Sequence, residues 1–199
     1  MIKKKIAIFG GAFNPPHVGH AMVVEALERL FDGDEIWLMP TANRADKTMA
    51  TSNDDRLVML KLVINEYFSE ARLPIMISDL ELKRPKLTTT YDTLMELKNL
   101  YPDNEFYFVI GDDLVGDIES KWARGKELSK LANFLAIRKS FLPVPKNSLS
   151  HLTILDKEIA HLDISSTFVR KLISEGYSGM PYITKEVAEY IKERQLYRI

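Results

Sequence analysis

The run Ile6-Ala7-Ile8-Phe9-Gly10-Gly11-Ala12-Phe13-Asn14-Pro15-Pro16-His17-Val18-Gly19-His20, followed by an apolar-periodic segment from Met22 to Leu30, decides how this chain folds. A short apolar strand enters a Gly-Gly turn, a proline-stiffened loop carries two histidines, and a helix takes over where the loop ends. That layout suits a phosphate group. Glycines without Cβ let backbone N–H groups approach an anion, and the first turn of a helix adds unpaired donors and about half a positive charge. His17 and His20 would bring side-chain donors to the same place.

Outward from this stretch, strands and helices alternate. Strands are predicted at 35–40, 74–78, 105–111, 134–138 and 151–155. The segment Glu105-Phe106-Tyr107-Phe108-Val109-Ile110-Gly111 is apolar on both faces, which belongs in the middle of a covered sheet. Helices are expected from a cap at Asn53-Asp54-Asp55 with Leu57, Leu60, Ile64 and Tyr67 or Phe68 as the apolar face, over 91–100, in short pieces near 114–118 and 126–131, and over 166–174 and 185–193. Residues 41–53, 80–87 and 140–150 read as irregular segments. The alternation predicts an α/β fold: a Rossmann-like, doubly wound, mainly parallel sheet with helices on both faces. We read residues 1–199 as one domain, on which the helical part from about 164 to 199 packs. Gly10, Pro40, Gly111 and Arg138 follow strands, so their loops should gather on one sheet edge, where such folds bind ligands.

Composition narrows the function. With 27 Lys+Arg against 28 Asp+Glu, no global charge points to nucleic acid or an anionic membrane. The absence of cysteine removes disulfides, thiolate catalysis and cysteine-based metal centres. The basic opening Met1 to Lys5 breaks at Gly10, too early for a secretory core, and no apolar run is long enough to span a bilayer, so we read a cytoplasmic protein. The sequence leaves a homo-oligomer open.

The run Gly10 to His20 resembles the G-G-x-F-(D/N)-P-x-H-x-G-H signature of the HxGH nucleotidylyltransferases. About 145 residues later, Ile164-Ser165-Ser166-Thr167-Phe168-Val169-Arg170 resembles the I-S-S-T-x-x-R signature of the same enzymes. Together, and with the closing pattern Val187, Tyr190-Ile191 and Leu196-Tyr197, they are most similar to the bacterial nicotinate-nucleotide adenylyltransferase family. The resemblance implies transfer of AMP from ATP to nicotinate mononucleotide in NAD biosynthesis, with Mg²⁺ carried mainly by the ATP phosphates rather than by protein ligands.

It also implies roles for matching residues. His17, His20, Lys47 and Arg170 would be catalytic. Gly10, Gly11, Ala12, Phe13, Gly111 and Asp113, with Ile164, Ser165, Ser166 and Thr167 of the late motif, would join the histidines and Arg170 around ATP. Asn14, Lys47, Thr89, Thr90, Trp122 and Ala123 would line the mononucleotide side, with Trp122 stacked on the pyridine ring. The chain departs from the family pattern at Ala12, Asp46, Thr89 and Ala123.

Each residue also has a plainer reading. A histidine can tie down its own loop, Ser165 and Asp113 can serve as helix caps, and a tryptophan such as Trp37 is usually core. Trp122 sits between Lys121 and Arg124 in a polar stretch, a poor core environment. A zinc site at His17 and His20 lacks further ligands nearby, and Gly10-Gly11 is not the G-x-G-x-x-G turn of a dehydrogenase. The rival functions are the same transfer to nicotinamide mononucleotide, another HxGH adenylyltransferase, and a nucleotide-sensing module on the same fold. A phosphate monoester is already largely dianionic at neutral pH, so the proposed nucleophile needs no general base.

Overall fold

The computed structural model describes residues 3–42, 51–84, 89–138, 149–156, 159–160 and 162–198. Its elements follow the predicted order: β1 (Lys5–Gly11), α1 (Val18–Leu30), β2 (Glu35–Pro40), α2 (Asn53–Tyr67), β3 (Ile75–Ile77), α3 (Thr90–Leu100), β4 (Glu105–Gly111), α4 (Ile118–Lys121), α5 (Gly125–Leu131), β5 (Asn133–Ile137), β6 (Leu152–Leu155), α6 (Ser166–Ser174) and α7 (Lys185–Glu193). The six strands form one sheet in the order β3-β2-β1-β4-β5-β6, and every pairing is parallel. This is the expected α/β architecture.

Strand alternation divides the core in two. Ile6, Ile8, Phe106, Phe108, Ile110 and Phe134 point to one face, where α3 contributes Leu94 and Leu97 and the short helices contribute Ile118 and Leu128. The residues between them, including Ala7, Leu38, Val109 and Leu135, point to the other face against Leu27 of α1 and Leu60 of α2. A third cluster joins Met59 and Val63 of α2 to Val169, Ile173, Val187 and Ile191 of α6 and α7, which mounts the C-terminal helices on the back of α2.

Two local expectations are corrected. Gly10 and Gly11 are the last residues of β1, with no positive φ, and the chain turns at Phe13, whose φ is +47°. Phe13 takes this costly backbone with its ring fully buried against Phe9 and His20. Helix α1 starts at Val18 rather than near Met22, with His17 as its cap, so His20 belongs to the first helical turn and not to the loop. A histidine cap carries no ordinary start signal, which explains the misplacement.

Helix α2 departs in which side chains it buries. Its cap is Ser52, and it buries Asp55, Arg56, Met59, Leu60 and Val63, while the predicted apolar residues Leu57 and Ile64 are half-buried and Tyr67 is exposed. Packing against both the sheet and α7 widens the buried face beyond one apolar stripe.

Candidate active site

Strand order reverses between β1 and β4, and a cavity of about 530 Å³ opens beyond the C-terminal ends of these strands. Phe9 and Gly10 of β1 and Ile110 and Gly111 of β4 line its floor. His17, Gly19 and His20 line one wall together with Ile164, Ser165 and Ser166, so the early and late motifs share one cavity. Thr90 and Trp122 line it as well. Such a volume suits a small-molecule ligand.

The histidines are held by helix capping. The backbone N–H of His17 donates to His20 Nδ1 at 3.0 Å. An imidazole that accepts at Nδ1 keeps its proton on Nε2, so neutral His20 is a donor from its far nitrogen. The two rings lie 3.7 Å apart between centroids, at 35°. Gly19 between them has a packing reason to be glycine: a Cβ there would stand 2.8 Å from Ile164 and 3.0 Å from the His17 ring. Gly10 differs, since a Cβ would meet nothing nearer than the Met39 carbonyl at 4.0 Å. Its missing side chain leaves space in the cavity.

The C-terminal segment fastens the histidine loop at several points. Ser166 Oγ donates to the Pro15 carbonyl at 2.9 Å, Arg170 Nη1 to the Asn14 carbonyl at 2.8 Å, and Val18 N–H to the Tyr182 carbonyl at 2.8 Å. The Tyr197 hydroxyl donates to Asn14 Oδ1, and burial pushes its phenol pKa up to about 12, so it stays a donor. Ser165 caps α6 by accepting from the Phe168 N–H at 3.2 Å. With Ser165 and Ser166 on the cavity wall, the first turn of α6 brings unpaired N–H groups to the cavity, an arrangement with the chemistry to bind an anion.

Beneath the loops lies Arg56, fully buried. Its Nη1 donates to the Ala12 and Thr41 carbonyls, both at 2.9 Å, and its Nη2 to Asn53 Oδ1 at 2.7 Å. It therefore joins the loops after β1 and β2 on one rigid planar group.

On the other side, Thr90 opens α3, and Trp122 is half-buried at the end of α4. Glu81 lines the same cavity. Its Oε1 accepts from Thr93 Oγ1 at 2.8 Å, and Thr93 in turn accepts from Arg84 Nη1 at 2.9 Å. Burial pushes the Glu81 carboxyl above the usual carboxylate range; Thr93 and Arg84 pull it down, and Glu96 adds to the rise.

Several predicted residues stand elsewhere. Ala12 and Ala123 are exposed and absent from the cavity wall, and Phe13 is buried, so any ligand contact there falls to the backbone. Asn14 has both its carbonyl and its side chain engaged by Arg170 and Tyr197. Thr89 forms a reciprocal cap with Asp92 and leaves the wall to Thr90. Gly11, Asp113, Thr167 and Arg170 are likewise absent from the wall; Asp113 is exposed, and Thr167 Oγ1 accepts from Arg170 Nη2 at 3.1 Å. Lys47 and Asp46 lie outside the described residues.

Sequence reasoning missed Glu81, inside a stretch read as irregular and charged, and Arg56, which follows two aspartates and reads as a solvated helix start. It also missed Asp112, buried beside Arg138 with Nε and Oδ2 3.5 Å apart at the ends of β4 and β5. No spacing signal marks any of the three. Among the described residues, no group of three or more His, Asp or Glu could hold a metal ion, and no helix is long and apolar enough to cross a membrane.

Comparison with known proteins agrees with this geometry. The model of the cytidylyltransferase-like family matches residues 8–172. The probable nicotinate-nucleotide adenylyltransferase of Oceanobacillus iheyensis is 35% identical over 196 residues, which cover 98% of this chain and 97% of that one. The structure of Plasmodium falciparum nicotinic acid mononucleotide adenylyltransferase complexed with NaAD matches with a TM-score of 0.81 at 28% identity, over 98% of this chain and 97% of that one. The structure of that enzyme complexed with APC matches with a TM-score of 0.79 at 27% identity and the same coverage.

Proposed function

The chain belongs to the cytidylyltransferase-like family, among the nicotinate-nucleotide adenylyltransferases, and we propose that it transfers AMP from ATP to nicotinate mononucleotide, releasing pyrophosphate and forming nicotinate adenine dinucleotide. The observation that carries this reading is the single cavity in which His17 and His20, the start of α6, and the pair Thr90 and Trp122 all take part.

In the reaction, a phosphate oxygen of the mononucleotide attacks the α-phosphorus of ATP. A new P–O bond forms, the bond to the bridging oxygen of the β-phosphate breaks, and pyrophosphate leaves with that electron pair. Catalysis of this kind is mostly placement and stabilisation of charge on phosphate oxygens. In this reading His20 Nε2–H and the first N–H groups of α6 donate to those oxygens, supported by the proton left on Nε2 when Nδ1 accepts the His17 N–H. His17, whose tilted ring lies against that of His20, serves the same anion. Lys47 is proposed as a further cation over the phosphates. Mg²⁺ enters as part of the ATP substrate and screens the repulsion between the two polyanions.

A second opening, lined by Met22, Val23, Ile137 and Ile159, adjoins the first through Gly19 and Ile164. Its apolar wall suits the adenosine half of ATP, which leaves the Thr90 and Trp122 end to the pyridine. Backbone N–H groups at the start of α3 would receive the pyridine carboxylate.

The test is a steady-state assay of pyrophosphate release with ATP and either nicotinate or nicotinamide mononucleotide. The expected result is turnover with a clear preference for the acid. A strong preference for the amide would reassign the substrate, and ATP binding without pyrophosphate release from either would favour a sensor.

A further inference from the structure

The cavity wall holds three ionisable side chains among the described residues: His17, His20 and Glu81. The histidines have a role in the reaction above, whereas Glu81 has none. Its position is also costly. A carboxylate on a wall shared with Met39, Phe108 and Trp122 gives up hydration, and Arg84, the cation whose charge acts on it, is engaged by Glu96 at 2.6 Å. Thr93 satisfies one carboxylate oxygen; among the described residues the other has no hydrogen-bond partner. The mononucleotide carries a complementary group, because a pyridine nitrogen bonded to ribose is a permanent cation.

Resting on the adenylyltransferase reading, we propose that Glu81 is the counter-ion of the mononucleotide's pyridinium ring, completing with the face of Trp122 a subsite for a flat organic cation. A π-face on one side and a carboxylate on another is how proteins take up such cations away from water. The ring cation is common to the acid and amide mononucleotides, so Glu81 strengthens both and does not choose between them. It selects instead for the oxidised, charged ring over the neutral dihydropyridine form.

The experiment compares wild type with Glu81→Gln and Glu81→Asp. Gln keeps the shape and can still accept from Thr93 but removes the charge, and Asp keeps the charge. KM is measured for both mononucleotides and for ATP, and the reduced nicotinamide mononucleotide, whose ring is neutral, is titrated as a competitive inhibitor. In wild type the charged ring binds about tenfold more tightly than the reduced one. In Glu81→Gln the KM for both mononucleotides rises about tenfold, the preference for the charged ring is lost, and kcat and ATP KM stay within about twofold. Glu81→Asp retains the preference. An unchanged preference in Glu81→Gln overturns the proposal, as does an equal rise in the inhibition constant of the reduced compound, which would mean that Glu81 merely shapes the pocket. Absence of turnover by wild type with either mononucleotide would instead remove the underlying reading.

Discussion

Arg170 Nη1 donates a 2.8 Å hydrogen bond to the main-chain carbonyl of Asn14, a residue 156 positions earlier in the chain. With Nη2 on Thr167, the guanidinium bridges the start of α6 and the loop that presents His17. The arginine of the late motif is thus a strut of the early one, whatever part of its charge reaches phosphate. Lysine cannot reproduce that fork. For Arg170→Lys we expect kcat/KM for ATP to fall about a hundredfold, with a stability loss of about 1–2 kcal/mol for two weakened hydrogen bonds. ATP saturation curves and denaturant melts measure both, and full activity in the lysine variant would show that the bridge is dispensable.

His20 has one role in the structure and one in the proposed reaction, and substitution can separate them. Its Nδ1 accepts the His17 N–H, and its Nε2–H is the donor proposed for the phosphate oxygens. His20→Asn offers an amide oxygen to the capping position but no donor at the distance of Nε2. We expect His20→Ala to lose about 1 kcal/mol of stability and His20→Asn to lose less, while both lose turnover by about 100-fold or more. Parallel loss of melting temperature and turnover across the two variants would make His20 a structural residue.

The two glycines that end β1 should respond differently to an added methyl group. At Gly10 the nearest heavy atom is 4.0 Å away, and the space is the cavity itself. At Gly11 a Cβ presses the buried Phe13 ring at 3.2 Å. Gly10→Ala should therefore melt like wild type and raise the ATP KM about tenfold, because a methyl group excludes backbone approach to the anion. Gly11→Ala should lose stability by about 1 kcal/mol through overpacking. Equal ATP KM values for Gly10→Ala and wild type would place the nucleotide elsewhere.

The elements, their order and the parallel sheet were legible because strand and helix periods are local and strong: Phe106 to Ile110 alternates between two buried faces, and both C-terminal helices begin with hydroxyl caps. The site was half legible. His17, His20 and Ser165 stand in linear motifs whose spacing survives folding. Glu81, Arg56 and Asp112 are fixed by burial and by partners as far as 44 positions away in the chain, neither of which leaves a local trace. Ala12, Asn14 and Thr89 matched family positions, yet the fold turns them to solvent, to Tyr197 and to Asp92.

Asp55 gives the fold a dependence on pH. Burial alone would raise its carboxyl pKa, but donors from the Ser52 hydroxyl at 2.6 Å, the Tyr190 hydroxyl at 2.8 Å and Arg194 Nε at 3.3 Å outweigh burial and hold it below its ordinary 3.8. Tyr190 and Arg194 belong to the C-terminal segment, so this carboxylate pins α7 to α2. A carboxyl depressed on folding stabilises the native state fully above its unfolded pKa and loses that contribution as pH falls through the folded value. Asp55→Asn imitates the protonated side chain, so wild type should exceed it by about 2 kcal/mol at neutral pH. The gap should hold down to about pH 5 and close below the unfolded value. Urea melts of both proteins between pH 7 and pH 3 measure it. A gap that stays constant over that range would mean that the asparagine's loss comes from altered packing at Tyr190 rather than from the charge.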